Sequence, residues 1–140
     1  MKRENFSRKR QAILQAVCST NCHPTAEWVY HAVKPQYTDL SLGTVYRNLA
    51  KFKEDGLIAS LGVINGQERF DGDTQPHDHF VCSKCGAILD VSQYELPWEL
   101  FQSLSERYSL RIDSHELIFR GLCPACLKEQ DCLEPVQEGA

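Results

Sequence analysis

The sequence predicts an α+β fold in two small domains, a winged helix-turn-helix followed by a small C-terminal α/β domain. Three observations predict it. Two Cys-x-x-Cys knuckles, Cys82/Cys85 and Cys123/Cys126, bracket the C-terminal half. Three stretches with apolar residues at helical spacing come first, and an Asn65-Gly66 turn between two strand-like runs follows them. After residue 76 the order of patterns is strand, strand, helix, strand. A chain of 140 residues has room for one compact domain or two small ones. The expected divisions are 1–70 for the winged helix, 71–76 for a hinge and 77–140 for the C-terminal domain.

The first helix is expected from Ser7, its N-cap, to about Cys18, with Ala12, Ile13, Ala16 and Val17 inward. Arg8, Lys9 and Arg10 then occupy its first turn, where positive charge opposes the helix dipole. A phosphate contact explains that placement, and so does a solvated basic turn. Pro24 closes off the first helix and suits the opening of a second. Trp28, Val29, Ala32 and Val33 give the second helix an apolar face, and Lys34-Pro35 ends it. His23 falls in the connection, where a lone histidine is more often a surface residue than a ligand. The third helix has the strongest pattern: Ser41 caps it, Val45, Leu49 and Phe52 form its buried stripe, and Gly56 stops it. Its exposed side carries Thr44, Tyr46, Arg47, Asn48 and Lys51. Arginine can pair with guanine and asparagine with adenine in the major groove. A solvated polar face reads equally well on this helix alone. The hairpin behind it completes a winged helix-turn-helix and favours base reading by the third helix.

Charge is split along the chain. Up to Gly56 there are nine Lys/Arg against five Asp/Glu; from Leu57 onward there are six against fourteen. A basic half joined to an acidic half bearing His and Cys suggests a DNA-binding module attached to a cation-binding one, although surface scatter can give a similar split. No apolar run approaches the ~18 residues of a membrane span. The N-terminus lacks a secretory signal. A cytoplasmic location is expected, where thiols stay reduced.

Four cysteines in two knuckles supply the tetrahedral sulfur shell of structural zinc. The alternative is two disulfide-bonded or buried pairs, which an odd total of seven cysteines disfavours. One zinc at Cys82, Cys85, Cys123 and Cys126 would pin the ends of two strands, one approaching Cys82 and one spanning Leu117-Ile118-Phe119. His77 and His79, two apart on the first strand, face the same way. Imidazole mixed with carboxylate suits Fe(II), Mn(II) or Zn(II) in a second, non-thiolate site. Asp71, His77, His79 and Asp90 lie close together in sequence, and His23 could complete that set and cross-link the halves. An amphipathic helix is expected from Tyr94 to about Tyr108 with Leu96, Leu100, Phe101 and Leu104 inward. One such helix on an open-edged sheet is too small to be comfortable alone, so dimerisation is expected. Lys128 to Ala140 reads as a loose polar tail, with Cys132 an accessory or solvent-exposed thiol.

The chain resembles the ferric uptake regulator (Fur) superfamily across roughly residues 7 to 128. The resemblance rests on His23-Pro24-Thr25-Ala26, Thr44-Val45-Tyr46-Arg47-Asn48-Leu49, Gly56-Leu57-Ile58, Arg69-Phe70-Asp71, His77-x-His79-x-x-Cys82-x-x-Cys85-Gly86 and Cys123-x-x-Cys126. Within that superfamily it looks most like the peroxide-sensing (PerR) branch. The branch implies a regulatory metal held by three histidines and two aspartates, here His23, Asp71, His77, His79 and Asp90. Iron-sensing members carry glutamate where Asp71 and Asp90 stand. The resemblance further implies a homodimeric repressor of double-stranded operator DNA, with Arg10, Thr44, Tyr46, Arg47, Asn48 and Lys51 as candidate DNA contacts. It implies no membrane partner, and no small molecule beyond metal and peroxide. Bound Fe(II) would react with peroxide and oxidise His23 or His77; Mn(II) would support DNA binding and respond poorly. Iron-sensing relatives have a further site, whose Asp and His match Asp78 and His115. The expected glutamate falls near Pro97, with Glu95 and Glu99 beside it, which leaves that third site open.

Two other readings stand beside this one. The same scaffold could sense iron or zinc without histidine oxidation. A zinc hydrolase or deaminase needs His-x-Glu with Pro-Cys-x-x-Cys; here His115-Glu116 are adjacent, and Pro124 lies inside the second knuckle. Four thiolates also leave zinc no open position for water. A chemical reaction turned over by this chain is therefore not expected.

Overall fold

The structure, a computed structural model, describes the backbone of residues 2–133 and the side chains of residues 8–129. It divides into two compact units, Met1–Gln75 and Pro76–Ala140. The first unit holds helices α1 (Lys2–Cys18), α2 (Ala26–Val33) and α3 (Leu42–Glu54), then strands β1 (Ala59–Ile64) and β2 (Gln67–Asp71). This is a winged helix-turn-helix, with β1 and β2 as the wing.

α1 begins earlier than its pattern suggests. Lys2, Arg3 and Glu4 are good helix formers and nothing before Ser7 breaks the run, so Ser7 lies inside the helix rather than capping it. Arg8, Lys9 and Arg10 are then mid-helix, beyond the reach of the N-terminal dipole argument. α2 is capped by Thr25, whose hydroxyl accepts from the Trp28 N–H at 3.0 Å; Pro24 stands one residue ahead of the cap. Its buried face is Ala26, Val29 and Val33, whereas Trp28 and Ala32 are exposed. Positions 26, 29 and 33 share one side at 3.6 residues per turn, and 28 and 32 fall on the flank. In α3 the Ser41 hydroxyl accepts from the Thr44 N–H, and Gly56 takes the left-handed turn (φ 77°) just past the end.

The wing turn has positive φ at both Asn65 (53°) and Gly66 (85°). That is the type I′ geometry that suits the twist of paired antiparallel strands. A bulge between Ser60 and Val63 bends β1. Ile13, Val17, Val29, Val45, Leu49 and Phe52, all fully buried, form the core with Ile58 and Phe70. Each such side chain contributes roughly 1.5–3 kcal/mol by leaving water. Asp71, the first residue of the expected hinge, ends β2. Gly72 lies against the end of α1, where an added Cβ would come within 2.6 Å of the Cys18 Cα.

The second unit runs β3 (Asp78–Cys82), β4 (Ile88–Val91), α4 (Trp98–Tyr108), β5 (Ile118–Gly121) and α5 (Pro124–Leu133). The sheet order is β4-β3-β5, with β3 antiparallel to β4 and parallel to β5. α4 starts four residues later than expected, at Trp98 rather than Tyr94, because Pro97 occupies the cap and a residue ahead of proline avoids the helical region. No residue of α4 is buried; of the expected face Leu96 precedes the helix, Leu100 is exposed, and Leu96, Phe101 and Leu104 are partly covered. α5 carries Lys128 onward into a helix as far as Leu133 instead of a loose tail, with Pro124 suited to its first turn. Residues 134–140 and the Cys132 side chain lie outside the described residues. The tight centre of this unit is Cys82, Cys123 and Cys126, with Phe80, Ala87 and Leu122 against them. None of the described helices is long and apolar enough to cross a membrane.

Candidate metal centres and nucleic-acid face

The knuckles converge as expected. Cys82 ends β3, Cys85 follows in the turn, Cys123 comes just after β5 and Cys126 sits in α5. One sulfur from each lies within 4.8 Å of the others, and Cys85 and Cys123 are 3.7 Å apart. Four sulfurs at the ~2.3 Å zinc–sulfur distance on a tetrahedron lie about 3.8 Å from one another. Backbone N–H groups of Cys85 and Cys123 aimed at the Cys82 sulfur bring its thiol down to about 6. Burial and the crowding sulfurs push Cys126 up to about 12. A divalent cation at the centre would let all four ionise together. A sulfur-only shell with no oxygen donor is the kind zinc takes in closed structural sites.

Among the other expected ligands, those within each unit are brought together. In the first unit His23 Nε2 lies 3.4 Å from Asp71 Oδ2, and both side chains are buried. The other Asp71 oxygen accepts the Asp73 N–H at 2.9 Å, which fixes the turn after β2. His23 itself adopts φ 55°, left-handed backbone for a residue with a Cβ. Such conformations cost of order 1–3 kcal/mol and persist only where the surroundings enforce them. In the second unit His79 and Asp90 are cross-strand partners on β3 and β4. His77 and His79 place Nε2 at 3.2 and 3.3 Å from Asp90 Oδ1, with their rings 4.4 Å apart. Two donors at right angles, each ~2.1 Å from an ion, are about 3 Å apart. Both half-sets therefore have the spacing of neighbouring ligands, and their imidazole–carboxylate chemistry fits Fe(II) or Mn(II).

Of the residues of the third site left open by the sequence, Asp78 and His115 approach one another. Asp78 accepts from the Leu117 N–H at 2.8 Å and from the Tyr94 hydroxyl, and His115 Nε2 stands 3.9 Å away. Glu95 and Glu99 do not join them in a cluster of potential ligands among the described residues. The Tyr94 hydrogen bond, ahead of the Leu117 bond, holds the Asp78 carboxyl below its usual range, and in turn pushes the phenol up to about 12. The sequence signalled no role for Tyr94, which reads there as the start of a helix.

Of the candidate DNA contacts, Tyr46, Arg47 and Lys51 are exposed on α3. Thr44 is half-buried, and its hydroxyl accepts from Arg47 Nη2. Asn48 departs from the expectation. It is 7% exposed and donates through Nδ2 to the Thr44 carbonyl at 2.9 Å. It lies on the core side because it follows Val45 by three positions. Arg10 lies over the Phe52 ring, 5.2 Å from its centre, and 3.8 Å from Asp55. The sequence also gave Arg69 no role, although its motif was visible. Arg69 donates to the backbone carbonyls of both Cys22 and His23.

Residues 4–120 match the family model "Ferric uptake regulator family". The chain is 34% identical over 121 residues to the peroxide-responsive repressor PerR of Staphylococcus epidermidis, covering 86% of this chain and 80% of that protein. It is similar in structure to the Campylobacter jejuni peroxide stress regulator, with a TM-score of 0.68, 26% identity, and coverage of 87% and 91%. It is also similar to the ferric uptake regulator of Francisella tularensis with iron, with a TM-score of 0.70, 27% identity, and coverage of 85% and 91%. The winged helix, the four-cysteine cluster and the imidazole–aspartate pairs all sit inside or beside the matched span, and the chain belongs to the ferric uptake regulator family, a family of metal-responsive transcription regulators rather than enzymes.

Proposed function

We propose that this protein is a homodimeric repressor of double-stranded operator DNA that senses peroxide by oxidation of a metal-bound histidine. In this reading Cys82, Cys85, Cys123 and Cys126 hold a structural Zn(II). His23 and Asp71 from one unit, with His77, His79 and Asp90 from the other, hold a regulatory Fe(II) or Mn(II). The observation that carries the reading is the donor set itself. Three imidazoles are each paired with an aspartate at 3.2–3.4 Å, in a chain similar to a peroxide-responsive repressor.

Bound Fe(II) would supply the electron that cleaves the peroxide O–O bond. The chain's residues do the rest. Asp71 and Asp90, as fellow ligands, bring negative charge to the cation beside the imidazoles. Oxygen added to the His23 or His77 ring makes it a poorer ligand. The ion then loses one of the two halves it joins, and the population shifts away from the DNA-binding arrangement. In that arrangement α3 enters the major groove with Tyr46, Arg47 and Lys51 outward. The exposed Leu89, Ile118 and Phe119 on the two edge strands support pairing with a second copy. A cytoplasmic setting keeps the thiols available to zinc.

The test is peptide mass spectrometry of Fe(II)-loaded protein after low peroxide. One added oxygen on His23 or His77, together with release of operator DNA, is expected. Both rings unmodified with DNA binding retained would favour the second reading, an iron- or zinc-responsive repressor without oxidation, which the likeness to an iron-bound ferric uptake regulator supports.

A further inference from the structure

We propose that Arg69 is the positioning residue for the N-terminal half of the regulatory metal centre: it holds the His23 backbone in its left-handed turn and binds that loop to the wing. The inference rests on reading His23 as a metal ligand. Arg69 lies two residues before Asp71 on β2, so both side chains leave the same face of the strand. Asp71 approaches the His23 ring. The Arg69 guanidinium takes the backbone behind that ring, through Nε to the His23 carbonyl and through Nη2 to the Cys22 carbonyl at 2.7 Å. Between them the Phe70 N–H donates to the Pro24 carbonyl at 2.9 Å. Three consecutive residues of β2 therefore grip three consecutive residues of the loop.

That grip explains how His23 keeps φ 55°. Left-handed backbone at a residue with a side chain must be enforced from outside. A planar guanidinium can reach two successive carbonyls at once, which a lysine ammonium does less well. Without the clamp the loop would relax toward ordinary backbone, and the imidazole would swing off the line to Asp71. The clamp also has a mechanical consequence inside this unit. β2 is the second strand of the wing, so whatever pulls on His23 pulls on the wing through Arg69.

The experiment uses the full chain with zinc in place and compares Arg69→Gln, Arg69→Lys and His23→Ala. Mn(II) affinity is read from the electron paramagnetic resonance of the free ion. Zinc content and thermal unfolding are measured in parallel. The His23 imidazole is followed by NMR with the regulatory metal removed. Arg69→Gln is expected to weaken Mn(II) binding about tenfold, the scale seen when residues that orient metal ligands are removed. It should also shift the metal-free His23 signals while leaving zinc content unchanged. Arg69→Lys should recover part of the affinity. If His23→Ala weakens Mn(II) binding and Arg69→Gln does not, the clamp is overturned and the ligand reading stands. If His23→Ala leaves Mn(II) affinity unchanged, the ligand reading falls and the clamp's role in metal binding falls with it. Should Arg69→Gln fail to fold, Arg69→Lys decides, and wild-type affinity with unmoved His23 signals overturns the proposal.

Discussion

The hydroxyl of Tyr94 donates to Oδ2 of Asp78, the residue that stands between His77 and His79. Since β3 alternates its faces, Asp78 points away from the paired imidazoles while anchoring the strand that carries His79. Its other oxygen accepts the Leu117 N–H just ahead of β5. One carboxylate thus ties β3 to the segment before α4 and to the start of the neighbouring strand. Tyr94→Phe removes one hydrogen bond to an ionised acceptor and should lower the stability of the second unit. Its urea midpoint should fall accordingly. A midpoint equal to wild type would show that the phenol is dispensable.

Neighbouring residues on α3 should separate stability from DNA binding. Asn48 is buried and bonded to the Thr44 carbonyl, whereas Arg47 is exposed. Asn48→Ala should cost about 1 kcal/mol of stability and leave operator affinity of the folded protein close to wild type. Arg47→Ala should leave stability unchanged and weaken operator binding by about 1–3 kcal/mol. Thermal unfolding and fluorescence anisotropy on labelled duplex read the two effects. The reverse pattern would assign base reading to Asn48.

Acid should weaken the wing through Glu68. Ser60 donates to the Glu68 carboxylate, and Lys53 Nζ lies 3.0 Å from the same oxygen. The Ser60 bond first, then the Lys53 contacts, lowers its pKa below the ordinary 4.5. A carboxylate with a depressed folded value contributes stability above its unfolded value, and that contribution is lost as pH falls through the folded one. Partial exposure and salt screening keep it small, about 0.5–1 kcal/mol. Glu68→Gln should be less stable than wild type near pH 7, and the gap should close as the pH drops below 4.5. A gap that stays constant down to the acid limit would remove the charge from the explanation.

Zinc removal should unfold one unit and spare the other. The centre of the second unit is built on Cys82, Cys123 and Cys126, while the core of the first contains no cysteine. Structural zinc contributes its binding free energy to folding. A strong chelator, or Cys82→Ser, should therefore disorder the second unit and leave the helical signal of the first. In a Trp28→Phe background the remaining Trp98 reports on the second unit alone. Retention of its native fluorescence after complete zinc removal would sink this prediction.

The sequence by itself determined the local elements and the chemistry of the ligands. Ser41, Gly56, Asn65-Gly66 and the knuckles act over a few neighbouring residues, so their signals survive in one dimension. Even there a competing local signal moves the boundaries, as at Ser7 inside α1 and at Pro97 ahead of α4. Only tertiary structure decided which side chains serve others. Arg69 meets a carbonyl 46 positions away, and Asp78 meets an N–H 39 positions away. Asn48 reads as outward by its residue type, yet packing places it inward, with the Thr44 carbonyl one turn back satisfying its amide. Partnerships of that kind depend on where the folded chain brings distant backbone together, and no periodicity records them.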